Sequence, residues 1–134
     1  MKFCYKQYGS GVSRPVIPIT IKHGNKSIRY EALVDSGADA CFFHAEVGEW
    51  LGLDIKTGKA EEVFGIGGKA SVYYRHKIVI EIGGWSHDTE AGFLPDVAGR
   101  VMKYGVLGQK GFFDLFIVKF DFPKGEIELK EIKK

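Results

Sequence analysis

The sequence predicts a mostly-β protein of a single domain, and three observations carry that expectation. Eighteen glycines are spread over 134 residues, apolar residues alternate in several short runs, and helical periodicity is weak throughout. A chain of this length is the size of one domain and buries roughly two-thirds of its unfolded surface on folding, so it needs no metal or disulfide staple. Residues 1–134 read as one domain, because no repeat, low-complexity segment or linker divides them.

The elements follow in chain order. Val16 to Ile21 is a strand that alternates in its second half, and His23-Gly24-Asn25-Lys26 is a turn. Ile28 to Val34 is the return strand of a hairpin. Its alternation fails at Ala32-Leu33-Val34, so the strand is expected to pass from half-exposed to buried at that end. Ala45 to Leu51 is a short helix, with Val47, Trp50 and Leu51 spaced by three and four. Gly52 stands where a left-handed residue closes a helix. Two strands then flank Gly65-Ile66-Gly67-Gly68, the second alternating at Ile78, Ile80 and Ile82. Gly83-Gly84 turns the chain into a partner strand from Trp85 to Leu94. Tyr104 to Leu107 is a short apolar strand, and a helical turn or two is expected from Gln109 to Phe116. Ile117 to Phe122 and Glu126 to Ile132 form a last hairpin around Pro123-Lys124-Gly125.

Composition narrows the function classes. Hydrophobic residues at 45% and charged residues at 27% are those of a soluble globular chain. A formal net charge of +2 is too small to argue for nucleic acid. Lys130, Lys133 and Lys134 gather at the C-terminus, but Glu126, Glu128 and Glu131 interleave with them, which describes a solvated edge. The two cysteines, Cys4 and Cys41, do not make a disulfide framework and read as reduced thiols. The N-terminus has no apolar core of a secretory signal, and no apolar run approaches the length of a membrane span. A cytoplasmic protein with no membrane partner is expected.

Chemistry concentrates at Asp35-Ser36-Gly37-Ala38-Asp39. The carboxylate can serve acid/base catalysis, the neighbouring hydroxyl can fix the loop, and glycine lets backbone approach a reacting centre. Alone, an Asp-Ser/Thr-Gly triplet is weak evidence. Average composition produces it by chance in about one chain of this length in twenty, and all three residues favour ordinary turns. Context strengthens it. The triplet ends an apolar strand, a costly place for a carboxylate that does nothing. Downstream come the glycine-rich Gly65-Ile66-Gly67-Gly68 between strands, and then Val106-Leu107-Gly108, a second apolar-apolar-Gly strand end.

These three parts, in this order, resemble the retropepsin-like (retroviral-type) aspartic proteases over roughly residues 15–122. Trp50-Leu51-Gly52-Leu53 and Gly111-Phe112-Phe113-Asp114-Leu115-Phe116 resemble prokaryotic-style members in particular. The resemblance implies a closed β-barrel of the acid-protease type, with one or two short helices and a flap hairpin. It implies a homodimer, because the chain has one such loop and the site needs two carboxylates. Asp35 of each chain would then be catalytic, and Ser36 and Gly37 would support the loop. Gly37, Ala38, Asp39, Ile66, Gly67 and Gly68 would bind an extended peptide, the last three as the flap tip. The implied activity is an endopeptidase acting at largely hydrophobic sites, without metal or other cofactor. Two features depart from the family. Gln109 stands where many members carry an arginine that braces the residue at the Asp39 position, and the C-terminal hairpin is longer than the terminal strands of viral enzymes.

Other readings are weaker. Cys41 and His44 are too close in sequence for their spacing to imply a nucleophile and its base, and they read as a buried thiol and a helix N-terminal residue. His23, His44, His76 and His87 show no metal-ligand spacing. Phe112, Phe113, Leu115, Phe116, Val118, Phe120 and Phe122 form an apolar cluster, read first as core and second as a dimer interface. Tyr73-Tyr74-Arg75-His76 has the aromatic-basic mix of a single-strand nucleic-acid surface, but strands favour tyrosine anyway. A dimer of the same fold that binds a peptide or partner without hydrolysis is the main alternative function.

Overall fold

The computed structural model describes residues 1–64, 70–95 and 103–132. Its strands are β1 (Lys2–Cys4), β2 (Lys6–Gln7), β3 (Ser13–Arg14), β4 (Val16–His23), β5 (Lys26–Val34), β6 (Phe42–His44), β7 (Lys59–Phe64), β8 (Ala70–Ile82), β9 (Trp85–Leu94), β10 (Gly105–Leu107), β11 (Phe116–Asp121) and β12 (Glu126–Glu131). One helix, α1 (Ala45–Trp50), and a 3₁₀ turn at Ile55–Thr57 complete the elements.

Six strands close a barrel in the order β4-β5-β10-β6-β9-β8, with β8 pairing back onto β4 through Thr20↔Glu81, Ile21↔Ile80 and Lys22↔Val79. Closure leaves these strands without free edges. The interior is filled by alternate residues of each strand: Ile17, Ile19 and Ile21 from β4, Ile78, Ile80 and Ile82 from β8, and Phe43, Phe93 and Leu107. Truncating a fully buried ring such as Phe43 to alanine costs about 3–5 kcal/mol. β8 is long enough to do two things. Its second half belongs to the barrel, while its first half pairs with β7 from Lys59↔Arg75 to Phe64↔Ala70, forming a hairpin that leads away from it.

β5 and β6 are consecutive in sequence yet not neighbours. β10 lies between them, parallel to β5 (Gly105↔Ala32, Val106↔Leu33, Leu107↔Val34) and antiparallel to β6 (Val106↔Phe42). The segment joining β5 to β6 must therefore arch over the end of β10, which places residues 35–41 at the barrel rim. Gly105 makes this insertion possible, since a Cβ there would lie 2.3 Å from the Phe43 ring. Ala32 and Val34 are buried, so β5 does become an interior strand as it reaches Asp35.

A second sheet, β1-β12-β11, joins the N-terminal residues to the C-terminal hairpin. Phe112, Phe116, Ile127 and Leu129 bury it against the barrel. The apolar cluster thus divides. Phe112 and Phe116 are core, whereas Phe122 and, beside them, Ile117 are 68% and 59% exposed.

Helix α1 starts on His44, whose Nδ1 accepts the Glu46 N–H at 3.1 Å. It ends on Gly52 at φ 87°, with Gly52 N–H donating to Glu49 O and Leu53 N–H to Gly48 O, the paired bonds of a Schellman close. The helical turns expected at Gln109–Phe116 form instead as a run of hydrogen-bonded turns. Gly111 adopts φ 103°, which a helix cannot use, and its N–H donates to the Asp114 side chain at 3.1 Å. Among the described residues no helix is long and apolar enough to cross a membrane.

Candidate active site

Asp35 stands half-buried at the end of β5. Its N–H donates to Leu107 O at 2.9 Å, continuing the β5–β10 ladder by one residue. Its Oδ1 accepts the Gly37 N–H at 2.9 Å, and the Ala38 N–H donates to Asp35 O at 3.1 Å. This tight turn fixes the carboxylate by bonds within the loop itself. Space for it is limited, since a Cβ on Gly37 would sit 3.2 Å from Asp35 Oδ1.

Residues 108–110 hold the loop from below. Gln109 N–H donates to Ala38 O at 2.8 Å and Lys110 N–H to Asp39 O at 2.9 Å. Gly108 lets the two segments touch, because a Cβ there would lie 2.2 Å from Ala40 O and 2.7 Å from Ala38 O. The Gln109 side chain adds a further tie, its Nε2 donating to Ser36 O at 2.9 Å. Only the amide nitrogen can face a carbonyl, so the orientation follows from chemistry. Bracing therefore exists without the arginine, through a neutral bond to the loop backbone. Among the described residues no salt bridge reaches Asp35 or Asp39.

Five of the expected site residues, Asp35, Ser36, Gly37, Ala38 and Asp39, thus lie on one short loop. Ser36, Gly37 and Asp39 are exposed, while Asp35 and Ala38 are half-buried. Ile66, Gly67 and Gly68 lie outside the described residues. The strands flanking them, β7 and β8, form the hairpin expected there.

Glu61, Tyr73, Arg75, Glu90 and Lys110 line a cavity of about 210 Å³ with Asp39, and of these five the sequence singled out only Tyr73 and Arg75. Glu61 pairs with Tyr73 across β7–β8, and Arg75 with Gly92 across β8–β9, so the side chains of Glu61, Tyr73, Arg75 and Glu90 share one face. Arg75 Nη2 is 3.1 Å from Glu61 Oε1, and its Nε is 3.3 Å from Glu90 Oε2. The Tyr73 hydroxyl donates to Glu61 Oε2 at 2.5 Å. That bond, with the Arg75 and Lys59 charges, holds the Glu61 carboxyl below its usual range, outweighing its partial desolvation. Burial first, then Glu61 and more weakly Asp39, push the Tyr73 phenol up to about 12. Tyr73 and Arg75 are thus tied into a carboxylate network and are no basic surface for nucleic acid. The Tyr-Tyr-Arg-His run was visible in the sequence, but its acidic partners come from other strands.

Cys41 and His44 do not form a catalytic pair. Burial pushes the Cys41 thiol up to about 12, opposite to what a nucleophile needs, and the His44 ring caps α1. Both cysteines are free. Among the described residues no three His, Cys, Asp or Glu side chains are grouped to hold a metal ion.

A six-stranded barrel that inserts one strand beneath an Asp-Ser-Gly loop defines a protein of the single-domain acid-protease class. The chain belongs to the aspartyl protease family, which matches residues 17–110. Among solved structures it is similar to a retropepsin-like aspartic protease from Rickettsia conorii, with a TM-score of 0.66 and 16% identity over 96% of this chain and 89% of that one. It is also similar to the retroviral protease-like domain of Ddi1 from Leishmania major, with a TM-score of 0.63 and 18% identity over 90% of this chain and 91% of that one. No curated protein matches the sequence.

Proposed function

We propose that the chain is one half of a homodimeric aspartic endopeptidase. The observation that carries the reading is the Asp35 loop, held at the barrel rim by residues 107–110 while Ser36 and Gly37 stay exposed. A single carboxylate cannot be both acid and base in one step, and the sequence has one such loop. Two chains related by a two-fold axis bring Asp35 against its own copy. Residues 1–134 act as one domain in this assembly.

Two adjacent carboxylates resist double ionisation, so the pair holds one proton between them, and its two pKa values belong to the pair. The ionised member takes a proton from a bound water as that water's oxygen attacks the peptide carbonyl. The protonated member gives its proton to the carbonyl oxygen, leaving a neutral gem-diol. In the collapse, one hydroxyl gives its proton to the ionised carboxylate, the protonated carboxyl gives its proton to the leaving nitrogen, and the C–N bond breaks, so the pair again holds one proton. No cofactor enters. Ser36 locks the two loops across the axis, and Gly37, Ala38 and Asp39 bind the substrate backbone. Residues 66–68 close over the peptide at the end of the β7–β8 hairpin and exclude water. The free thiols agree with a reducing, cytoplasmic setting.

One observation favours a second reading, in which the dimer binds a peptide without turnover. Gln109 braces the Ser36 carbonyl with a neutral bond, which restrains the loop less than an ion pair to Asp39. Incubation of the protein at tens of micromolar with a peptide library from pH 4 to 7 separates the two. Cleavage with a mildly acidic optimum, abolished by Asp35→Asn, is expected. Peptides retained intact by both proteins support the binding dimer instead.

A further inference from the structure

The geometry points to a subsite beside the Asp35 loop that takes a basic side chain of the bound peptide, formed by Asp39 on one wall and by Glu61 and Glu90 on the other. This inference rests on the peptide-cleft reading above and adds to it a chemical preference that a largely hydrophobic specificity does not contain.

The cavity is smaller than the roughly 300–1,000 Å³ of a whole small-molecule site and suits one side chain. Its charges are not equally available. Arg75, with a side chain only 21% exposed, is already engaged by Glu61 and Glu90 at 3.1 and 3.3 Å, so an incoming carboxylate must compete with two partners in place. Lys110 is exposed and carries its charge on a long flexible stem that can move to water. The carboxylates are better fixed. Glu61 is held by both Tyr73 and Arg75, Glu90 by Arg75, and Asp39 by a short side chain on a pinned loop.

Lys59 lies 3.6 Å from Glu61 but its side chain is 69% exposed and, like Lys110, can swing to water, so among the fixed groups three carboxylates face one guanidinium. Each carboxylate has lone pairs beyond those used, so a lysine or arginine side chain can bond Asp39 together with Glu61 or Glu90. An apolar side chain would strip water from this network and return no hydrogen bond. The pocket therefore disfavours apolar and acidic residues for different reasons.

The test uses three peptide series, identical except for lysine, norleucine or glutamate placed in turn at each position flanking the scissile bond. For lysine at one position, kcat/KM is expected to exceed that for norleucine roughly fivefold, the scale of a partly exposed ion pair, with glutamate lowest. In the double variant Glu61→Gln, Glu90→Gln, Arg75 loses both partners and glutamate should become preferred over lysine. A merely structural role would lower all three rates together. Binding of the same peptides to Asp35→Asn is read by fluorescence anisotropy, which does not depend on turnover. Equal wild-type rates for lysine and norleucine at every position overturn the subsite and leave proteolysis standing. No cleavage by the wild type, with tighter binding of the lysine peptide to Asp35→Asn, keeps the subsite and overturns proteolysis. Absence of both cleavage and preference overturns both.

Discussion

The Gln109 side chain donates to the Ser36 carbonyl at 2.9 Å, joining positions 73 residues apart. It is a neutral bond to backbone, and with the main-chain bonds of Gln109 and Lys110 it holds the loop that carries Asp35. The chain thus keeps the loop in place by geometry where charge is missing.

Removing that bond should cost about 1 kcal/mol, the net worth of one neutral hydrogen bond. Gln109→Leu is expected to lower the unfolding free energy from urea denaturation by that amount and to reduce kcat further than stability alone explains. Gln109→Glu should be worse in both measurements, because a carboxylate cannot donate and would face the Ser36 oxygen.

Gly108 is a steric requirement. The Cβ of Gly108→Ala would fall 2.2 Å from Ala40 O, a backbone atom that cannot turn aside. A loss of about 2–4 kcal/mol is expected in equilibrium unfolding. By contrast, Gly37→Ala meets only Asp35 Oδ1 at 3.2 Å. It should leave unfolding nearly unchanged while reducing hydrolysis by displacing the carboxylate.

Stability should fall at both ends of the pH scale for separate reasons. The Tyr73 and Cys41 groups are both pushed up to about 12, so the folded chain holds their protons after the unfolded chain has lost them. Their contribution is complete below about pH 8.5, where unfolded cysteine begins to ionise, and disappears as pH rises towards 12. The Glu61 carboxyl is shifted down, so its contribution is present above about pH 4.3 and declines as pH falls through its folded value. Urea midpoints across pH 3–11 should show both declines. Tyr73→Phe should flatten part of the alkaline one and, by removing a donor to Glu61, part of the acid one.

The barrel strands were legible because their patterns are local. Alternating isoleucines mark β4 and β8, and the loss of alternation before Asp35 marks the strand that turns interior. Gly52 announced the end of α1. Of the terminal sheet, the β11–β12 hairpin was legible but β1 was not, because β1 has three residues and finds its partner at Lys2↔Glu128, where no local pattern operates. β6 was missed for a similar reason. Three residues carry little periodicity, and its role as a neighbour of β10 is tertiary. The turns at 109–116 read as helical because Phe112, Phe113 and Phe116 have helical spacing. Gly111 overrides them, because it adopts a positive φ and stands where a Cβ would lie 2.7 Å from the Glu90 carbonyl oxygen. The Asp35 loop could be found from its motif. The Glu61–Arg75–Glu90 network could not, since three separate strands supply it.

The most direct measurement mixes wild-type chains with Asp35→Asn chains at fixed total concentration and follows peptide hydrolysis after the chains have exchanged. If each active site takes one Asp35 from each of two chains, activity falls as the square of the wild-type fraction, to about one quarter in an equal mixture. A fall in simple proportion to the wild-type fraction would mean that each chain carries a complete site, and would contradict a composite one.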